Sequence, residues 1–256
     1  MQQPRIRRIA FIGSGATGRS VQRDAADAGV KDVSLELGGK TAMIVFGDAD
    51  PAGAAAGAVA GINFVTTAGQ SCGSASRLLV HESLAAGVCK HVAAGVEGVV
   101  VGDPVRERTQ MGPVITRRHL DHVQALIAAG LREAQLLAGR GRPAGTGDRG
   151  CYVAPTVLTG VAPGSTLGQT EVFGPVLSVM TFRDEDEAVR IANWVPFGLA
   201  GAVWTSDVRR AHRVARGLEA GYIWINGSAR HFWGGLRRVQ GFRRRPGGEN
   251  CRASLR

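Results

Sequence analysis

Residues 6–18 read IRRIAFIGSGATG. A short apolar run, 6–12, stops at a glycine-rich turn, 13–18. The next stretch, 19–28, is alanine-rich and helix-compatible, and a second apolar run at 33–37 leads into Gly38-Gly39-Lys40. Strand, turn, helix and strand in this order form the unit of an α/β sheet. A glycine turn opening a helix can offer backbone N–H groups to a phosphate. Glycine turns also connect many strands and helices that bind nothing, so this stretch speaks to the fold class and leaves the activity open.

The same alternation continues. Residues 42–46 read as a strand, after which Asp48 or Asp50 caps a helix with Pro51 in its first turn that runs to about residue 63. Strands are expected at 77–81, 176–182, 200–204 and 222–226. Helices are expected at 82–94, 116–129, 184–193 and 206–217. Leu120, Val123 and Ile127 recur at helical spacing in the second of these. The segment AGRGRPAGTGDRG, 138–150, reads as a surface loop. Strands alternating with helices predict an α/β fold.

Composition narrows the function classes. The 256 residues suffice for a sizeable core, and 44% hydrophobic content is that of an ordinary folded protein. No apolar run is long enough to span a bilayer and no secretory h-region follows the basic start, which reads as a soluble, cytoplasmic protein without a membrane partner. The net charge is +10. Arg5, Arg7 and Arg8 contribute +3, residues 237–256 contribute +6 from seven arginines and Glu249, and the body holds the remaining +1. A nucleic-acid face is built into a fold and interleaved with aromatics. Charge confined to two ends, with 5% aromatic residues, argues against such a partner.

The four cysteines, Cys72, Cys89, Cys151 and Cys251, form no CxxC pair and match no zinc spacing, so no metal site is expected. Cys89 and Cys151 read as buried, inert thiols. Cys72 differs. It sits in TTAGQSCGS, residues 66–74, among small and polar neighbours that let other molecules approach a thiol. From its surroundings alone it could be a packing residue, a ligand or a nucleophile.

Further motifs lie along the chain: Glu36-Leu37-Gly38-Gly39-Lys40, Gly69-Gln70-Ser71-Cys72, Glu171-Val172-Phe173-Gly174-Pro175-Val176, Asn193 with Phe197-Gly198-Leu199, and Trp224-Ile225-Asn226. In this order and spacing, over residues 6–233, the chain resembles the aldehyde dehydrogenase superfamily. The resemblance implies an aldehyde dehydrogenase-like catalytic domain at 39–228, a remnant of the dinucleotide-binding domain at 1–38, and an atypical basic tail at 229–256. It implies Cys72 as the catalytic nucleophile and Glu36 as the general base. It implies that Gly13, Ser14 and Gly18 form the turn near the cofactor, that Leu37 and Gly38 line its nicotinamide side, that Glu171 holds the nicotinamide ribose and that Phe173 packs beside the ring. NAD or NADP is the cofactor so implied, and a small aldehyde the substrate.

The chain also departs from that pattern. The family's usual chain is about twice as long, is typically a homo-oligomer, and carries upstream an asparagine of the oxyanion hole and the positions that grip the adenosine ribose. After the Trp-x-Asn strand this sequence keeps Gly234-Gly235 but turns arginine-rich, which suggests a change of reading frame near Trp233. The expected alternative to aldehyde oxidation is therefore a vestigial fragment that keeps a reactive thiol, with at most esterase-like activity.

Overall fold

The computed structural model describes residues 3–228. They fall into two compact units, 3–37 and 38–228. The basic tail and Cys251 lie outside the described residues.

In the first unit, β1 (Arg8–Ile12) pairs in parallel with β2 (Asp32–Glu36), and α1 (Gly15–Asp27) connects them. The helix starts inside the glycine turn, four residues before the alanine-rich stretch. Ser14 is the reason: its backbone is extended and its Oγ accepts from Thr17 N–H at 3.2 Å, which satisfies one free donor of the first turn. Gly18 is buried on the strand side of the helix. A Cβ there would meet Leu37 at 2.8 Å, so the absent side chain permits the close helix–strand approach.

The second unit is built on a seven-stranded sheet in the order β5-β6-β7-β4-β3-β8-β9. Its strands are β3 (Ala42–Val45), β4 (Arg77–His81), β5 (Gln135–Ala138), β6 (Thr156–Thr159), β7 (Val176–Phe182), β8 (Ala200–Trp204) and β9 (Tyr222–Ile225). All neighbours run parallel except the edge strand β5, which is antiparallel to β6. The central strands are mainly apolar, as expected of strands covered on both faces. Met43, Ile44, Val45, Leu78, Leu79, Val176 and Leu177 are all buried.

The helices are α2 (Pro51–Gly61), the single turn α3 (Phe64–Thr67), α4 (Ala85–Glu97), α5 (Arg117–Gly130), the single turn α6 (Thr166–Gln169), α7 (Glu185–Asn193) and α8 (Val208–Gly217). Asp50 caps α2 through Ala52 and Gly53 N–H, and Asp184 caps α7 through Glu187 N–H. Asp48 instead ties distant segments together. Its carboxylate accepts from the Thr205 and Ser206 hydroxyls and pairs with Arg210 at 3.0 Å. Burial alone would raise the Asp48 pKa, but the two hydroxyls and Arg210 together hold it below the usual carboxylate range.

Three sequence expectations change. The stretch 82–94 is not one helix: His81 Nδ1 accepts from Ser83 N–H and caps a short 3₁₀ turn, Glu82–Leu84, before α4 begins. The strands β5 and β6 escape a periodicity reading because each is four residues long and β6 is buried on both faces. Cys89 and Cys151 are partly exposed, not buried; each packs against the rim of the core.

One buried cation ties the second unit together. Arg77 on β4 is 2% exposed, and its guanidinium donates to the carbonyls of Lys40, Ile191 and Ala192 at 2.9, 2.9 and 2.7 Å. Three accepting carbonyls offset much of the cost of taking the charge out of water.

Candidate functional site

Cys72 lies on the loop between α3 and β4, and its shape follows from local backbone needs. Asn63, Ala68 and Gly69 all have positive φ, at 62°, 51° and 71°. Asn63 takes that conformation readily and is anchored: its Nδ2 donates to Gly61 O and Ser74 Oγ. Gly69 has a second constraint, since a Cβ there would sit 2.1 Å from the Gly174 carbonyl oxygen. Gln70 spans outward. Its Nε2 donates to Thr67 O, while its Oε1 accepts from Ile115 N–H at 2.9 Å. The thiol is partly exposed at the end of this pinned loop. Among the described residues the Cys72 N–H has no hydrogen-bond partner.

The pair Gly38-Gly39, at the start of the second unit, fits between this loop and Glu171. A Cβ on Gly39 would lie 2.2 Å from the Cys72 carbonyl oxygen, and one on Gly38 would lie 2.0 Å from Glu171 Oε2. Both positions exclude side chains, so the backbone of 38–39 lies against the Cys72 carbonyl at one residue and against the Glu171 carboxylate at the next. Gly39 N–H donates to Glu171 Oε1 at 3.0 Å. Burial raises the Glu171 pKa; the Gly39 N–H and the Lys40 charge pull it partly back.

Phe173 follows two residues later with φ 52°, and its side chain is 41% exposed. Lys40 is 2% exposed, and among the described residues its Nζ has no hydrogen-bond partner. Burial first, then the Arg77 charge, lowers its pKa from 10.5 to about 7, against an upward pull from Glu171. Lys40, Arg77, Asn193 and Leu199 line a cavity of about 20 Å³, room for about one water molecule.

These segments meet for a topological reason. Residues 38–40 precede β3, the Cys72 loop precedes β4, and Glu171-Phe173 precedes β7, with β7, β4 and β3 adjacent and parallel. The candidate site therefore lies at the amino ends of the strands. Ligands of open α/β sheets more often sit at the carboxyl ends.

The remaining predicted residues divide between the units. Gly13, Ser14, Gly18, Glu36 and Leu37 belong to the first; Gly38, Cys72, Glu171 and Phe173 belong to the second. In the first unit Gly13 N–H donates to Glu36 O at 3.0 Å, and among the described residues the half-buried Glu36 carboxylate accepts no hydrogen bond. Asn193 and Asn226 prove to be ties between segments: Asn193 bridges Gly217 O and Glu219 N–H, and Asn226 bridges the Thr205 backbone on both sides. No group of three metal-ligating side chains occurs among the described residues.

The family model for the aldehyde dehydrogenase family matches residues 1–248. The chain belongs to the aldehyde dehydrogenase family. A betaine aldehyde dehydrogenase from Rhizobium etli is 43% identical over 227 residues, covering 88% of this chain and 46% of that protein. A chloroplastic betaine aldehyde dehydrogenase from Atriplex hortensis is 40% identical over 252 residues, 96% of this chain and 49% of the relative. Among solved structures, an NAD-dependent aldehyde dehydrogenase from Sinorhizobium meliloti superposes with a TM-score of 0.85 at 40% identity, covering 90% of this chain and 45% of that one. An indole-3-acetaldehyde dehydrogenase in complex with NAD+ gives 0.84 at 37% identity, covering 91% and 46%. This aldehyde dehydrogenase family member thus spans about half the length of the curated relatives it matches.

Each unit, taken by itself, holds groups that fit one part of a nicotinamide nucleotide. Glu171 Oε2 accepts no hydrogen bond among the described residues, which suits it to ribose hydroxyl donors. Ser14 at the head of α1 opens a thirteen-residue helix whose first turn carries free N–H groups, the arrangement that favours phosphate. No described helix is long and apolar enough to cross a membrane.

Proposed function

We propose that the chain carries the catalytic centre of an NAD(P)-dependent aldehyde dehydrogenase, with Cys72 as nucleophile. The Cys72 thiolate adds to the carbonyl carbon of an aldehyde and forms a hemithioacetal. The Cys72 N–H is the donor for the oxyanion that develops on the former carbonyl oxygen. A nicotinamide nucleotide bound there would supply the hydride acceptor. Loss of hydride leaves a thioester on Cys72. Glu36 takes a proton from the attacking water, the acyl–sulfur bond breaks, and carboxylic acid and free thiolate result. In this reading Glu171 and Phe173 would hold the ribose and the ring at the nicotinamide end, Leu37 and Gly38 would line the nicotinamide, and Gly13, Ser14 and Gly18 would form the turn towards the diphosphate. Residues 1–38 are, in this reading, part of the cofactor-binding domain and 39–228 the catalytic domain.

The observation that supports this reading best is the Gly38-Gly39 wedge. Its backbone contacts the Cys72 carbonyl and the Glu171 carboxylate, and among the described residues the Cys72 N–H has no partner. A purely structural thiol needs neither. The test is aldehyde-dependent formation of reduced nucleotide from NAD and from NADP by this chain, with Cys72→Ala as blank. Turnover abolished in Cys72→Ala supports the assignment. Equal turnover in the blank removes Cys72 from it.

A further inference from the structure

Helix α5 touches both loops of the candidate site. Just before it, Ile115 N–H donates to Gln70, two residues from Cys72. Thr116 then caps the helix by accepting from His119 N–H at 3.1 Å. On its first turn, His119 Nε2 lies 2.6 Å from the Phe173 carbonyl oxygen. A carbonyl only accepts, so Nε2 carries the proton. The His119 ring also meets the Phe173 ring edge to face at 6.0 Å, and His122 stacks on the other imidazole at 6.0 Å.

The peptide held in this way is an unusual one. Phe173 has a left-handed backbone, φ 52°, which a bulky side chain rarely adopts without outside support. The next residue, Gly174, presents its carbonyl to Gly69 at a distance that admits no side chain. A peptide plane rotated at 173 would therefore press on the Cys72 loop and redirect both the Phe173 ring and the Glu171 carboxylate.

We propose that His119 is a positioning residue for the Glu171–Phe173 segment. Its Nε2–H holds the Phe173 carbonyl, keeps residue 173 left-handed, and so presents Glu171 and Phe173 to the nicotinamide end of a bound nucleotide. The proposal rests on the reading above that these two residues meet that end of the cofactor. In this role His119 acts through the backbone of Phe173.

The test compares His119→Ala with His119→Gln in the full chain. Glutamine carries an N–H the same number of bonds from Cα as Nε2, so it restores the donor without the ring. The first readout is amide hydrogen exchange. His119→Ala should speed exchange in the segment 171–174 while leaving β4 unchanged, and His119→Gln should return it to the original rate. The second readout is protection of Cys72 from iodoacetamide by NAD and by NADP. Removal of one hydrogen bond should raise the nucleotide concentration for half-protection about tenfold in His119→Ala, and the glutamine should recover most of it. Unchanged exchange at 171–174 in His119→Ala overturns the proposal. So does faster exchange with undiminished protection, which would leave His119 a local tie without consequence for the nucleotide. If neither nucleotide protects the unmodified chain, the functional reading fails, and the exchange comparison alone then decides whether His119 holds Phe173.

Discussion

Gly39 lies against the carbonyl oxygen of Cys72, so close that a Cβ would come within 2.2 Å of it. The approach joins the start of β3 to the start of β4 through two backbones, with no side chain between them. It is available only to glycine, although nothing about the Gly39 backbone dihedrals demands one.

Gly39→Ala should therefore cost about 1–3 kcal/mol, the usual price of forcing a methyl group into a packed contact, and should change the alkylation rate of Cys72. Gly73→Ala is the control. It stands next to Cys72 on the same loop, yet a Cβ there meets nothing within 4 Å. Chemical denaturation of both variants, with thiol labelling of each, checks the contrast; equal effects of the two substitutions would show that the wedge does not constrain the loop.

Cys72 should label faster than Cys89 or Cys151 with a thiol-directed reagent. All three are partly exposed, so access does not separate them. Burial pushes the Cys89 thiol up, which lowers its thiolate fraction at neutral pH, whereas the Cys72 loop is lined by Gly69, Ser71 and Gly73. Peptide-resolved mass spectrometry after brief labelling measures the order. Cys89 reacting first would contradict it.

Lys40 should give the stability a rising dependence on pH. Its pKa is about 7 in the fold against 10.5 in the reference state, so between these values the unfolded chain holds a proton that the folded chain has lost. Unfolding then takes up a proton and stability climbs as pH rises across this window, by at most about 1.4 kcal/mol per pH unit. Lys40→Met removes this contribution. Comparing denaturation midpoints of the two chains from neutral to alkaline pH isolates it, since other titrating groups are shared; parallel curves would refute the assignment.

Asp48→Asn should destabilise by about 1.5–3 kcal/mol, the range for hydrogen bonds to a charged group. The carboxylate serves two hydroxyls and Arg210, and an amide cannot accept through both of its ends. Because the Asp48 pKa is depressed in the fold, its contribution is fully present above the ordinary carboxylate value of 3.8 and fades as pH falls below that. Thermal melts of wild type and variant should converge in acid and separate near neutrality.

Much of the sheet was legible from apolar runs: Arg77–His81, Val176–Phe182 and Ala200–Trp204 have the bounds expected of them. The strands β5 and β6 were not, because four residues are too few to show a period. Within the candidate site, the glycines of 38–39 and 69 were visible as motifs, but what each glycine faces was not. Gly39 meets Cys72, Gln70 meets Ile115 and His119 meets Phe173 only because parallel pairing brings the amino ends of β3, β4 and β7 side by side. His119 carried no local signal at all. A histidine in the first turn of an amphipathic helix looks solvent-facing, and its partner is 54 positions away. Lys40 stands in a recognisable motif, but nothing in its sequence neighbours signals its burial.

The Arg77 guanidinium sets an order on how the second unit can be assembled. It enters the chain with β4, but two of its carbonyl acceptors, on Ile191 and Ala192, arrive more than a hundred residues later with α7. Until that helix docks, the β4 cation has only the Lys40 carbonyl and solvent to accept from it, and β4 occupies the middle of the sheet. The two sides of the long glycine-rich loop at 139–150 are therefore interdependent folding partners. A chain severed in that loop should regain its central sheet only when both pieces are present, because the earlier piece holds the charge and the later piece holds two of the groups that neutralise its burial.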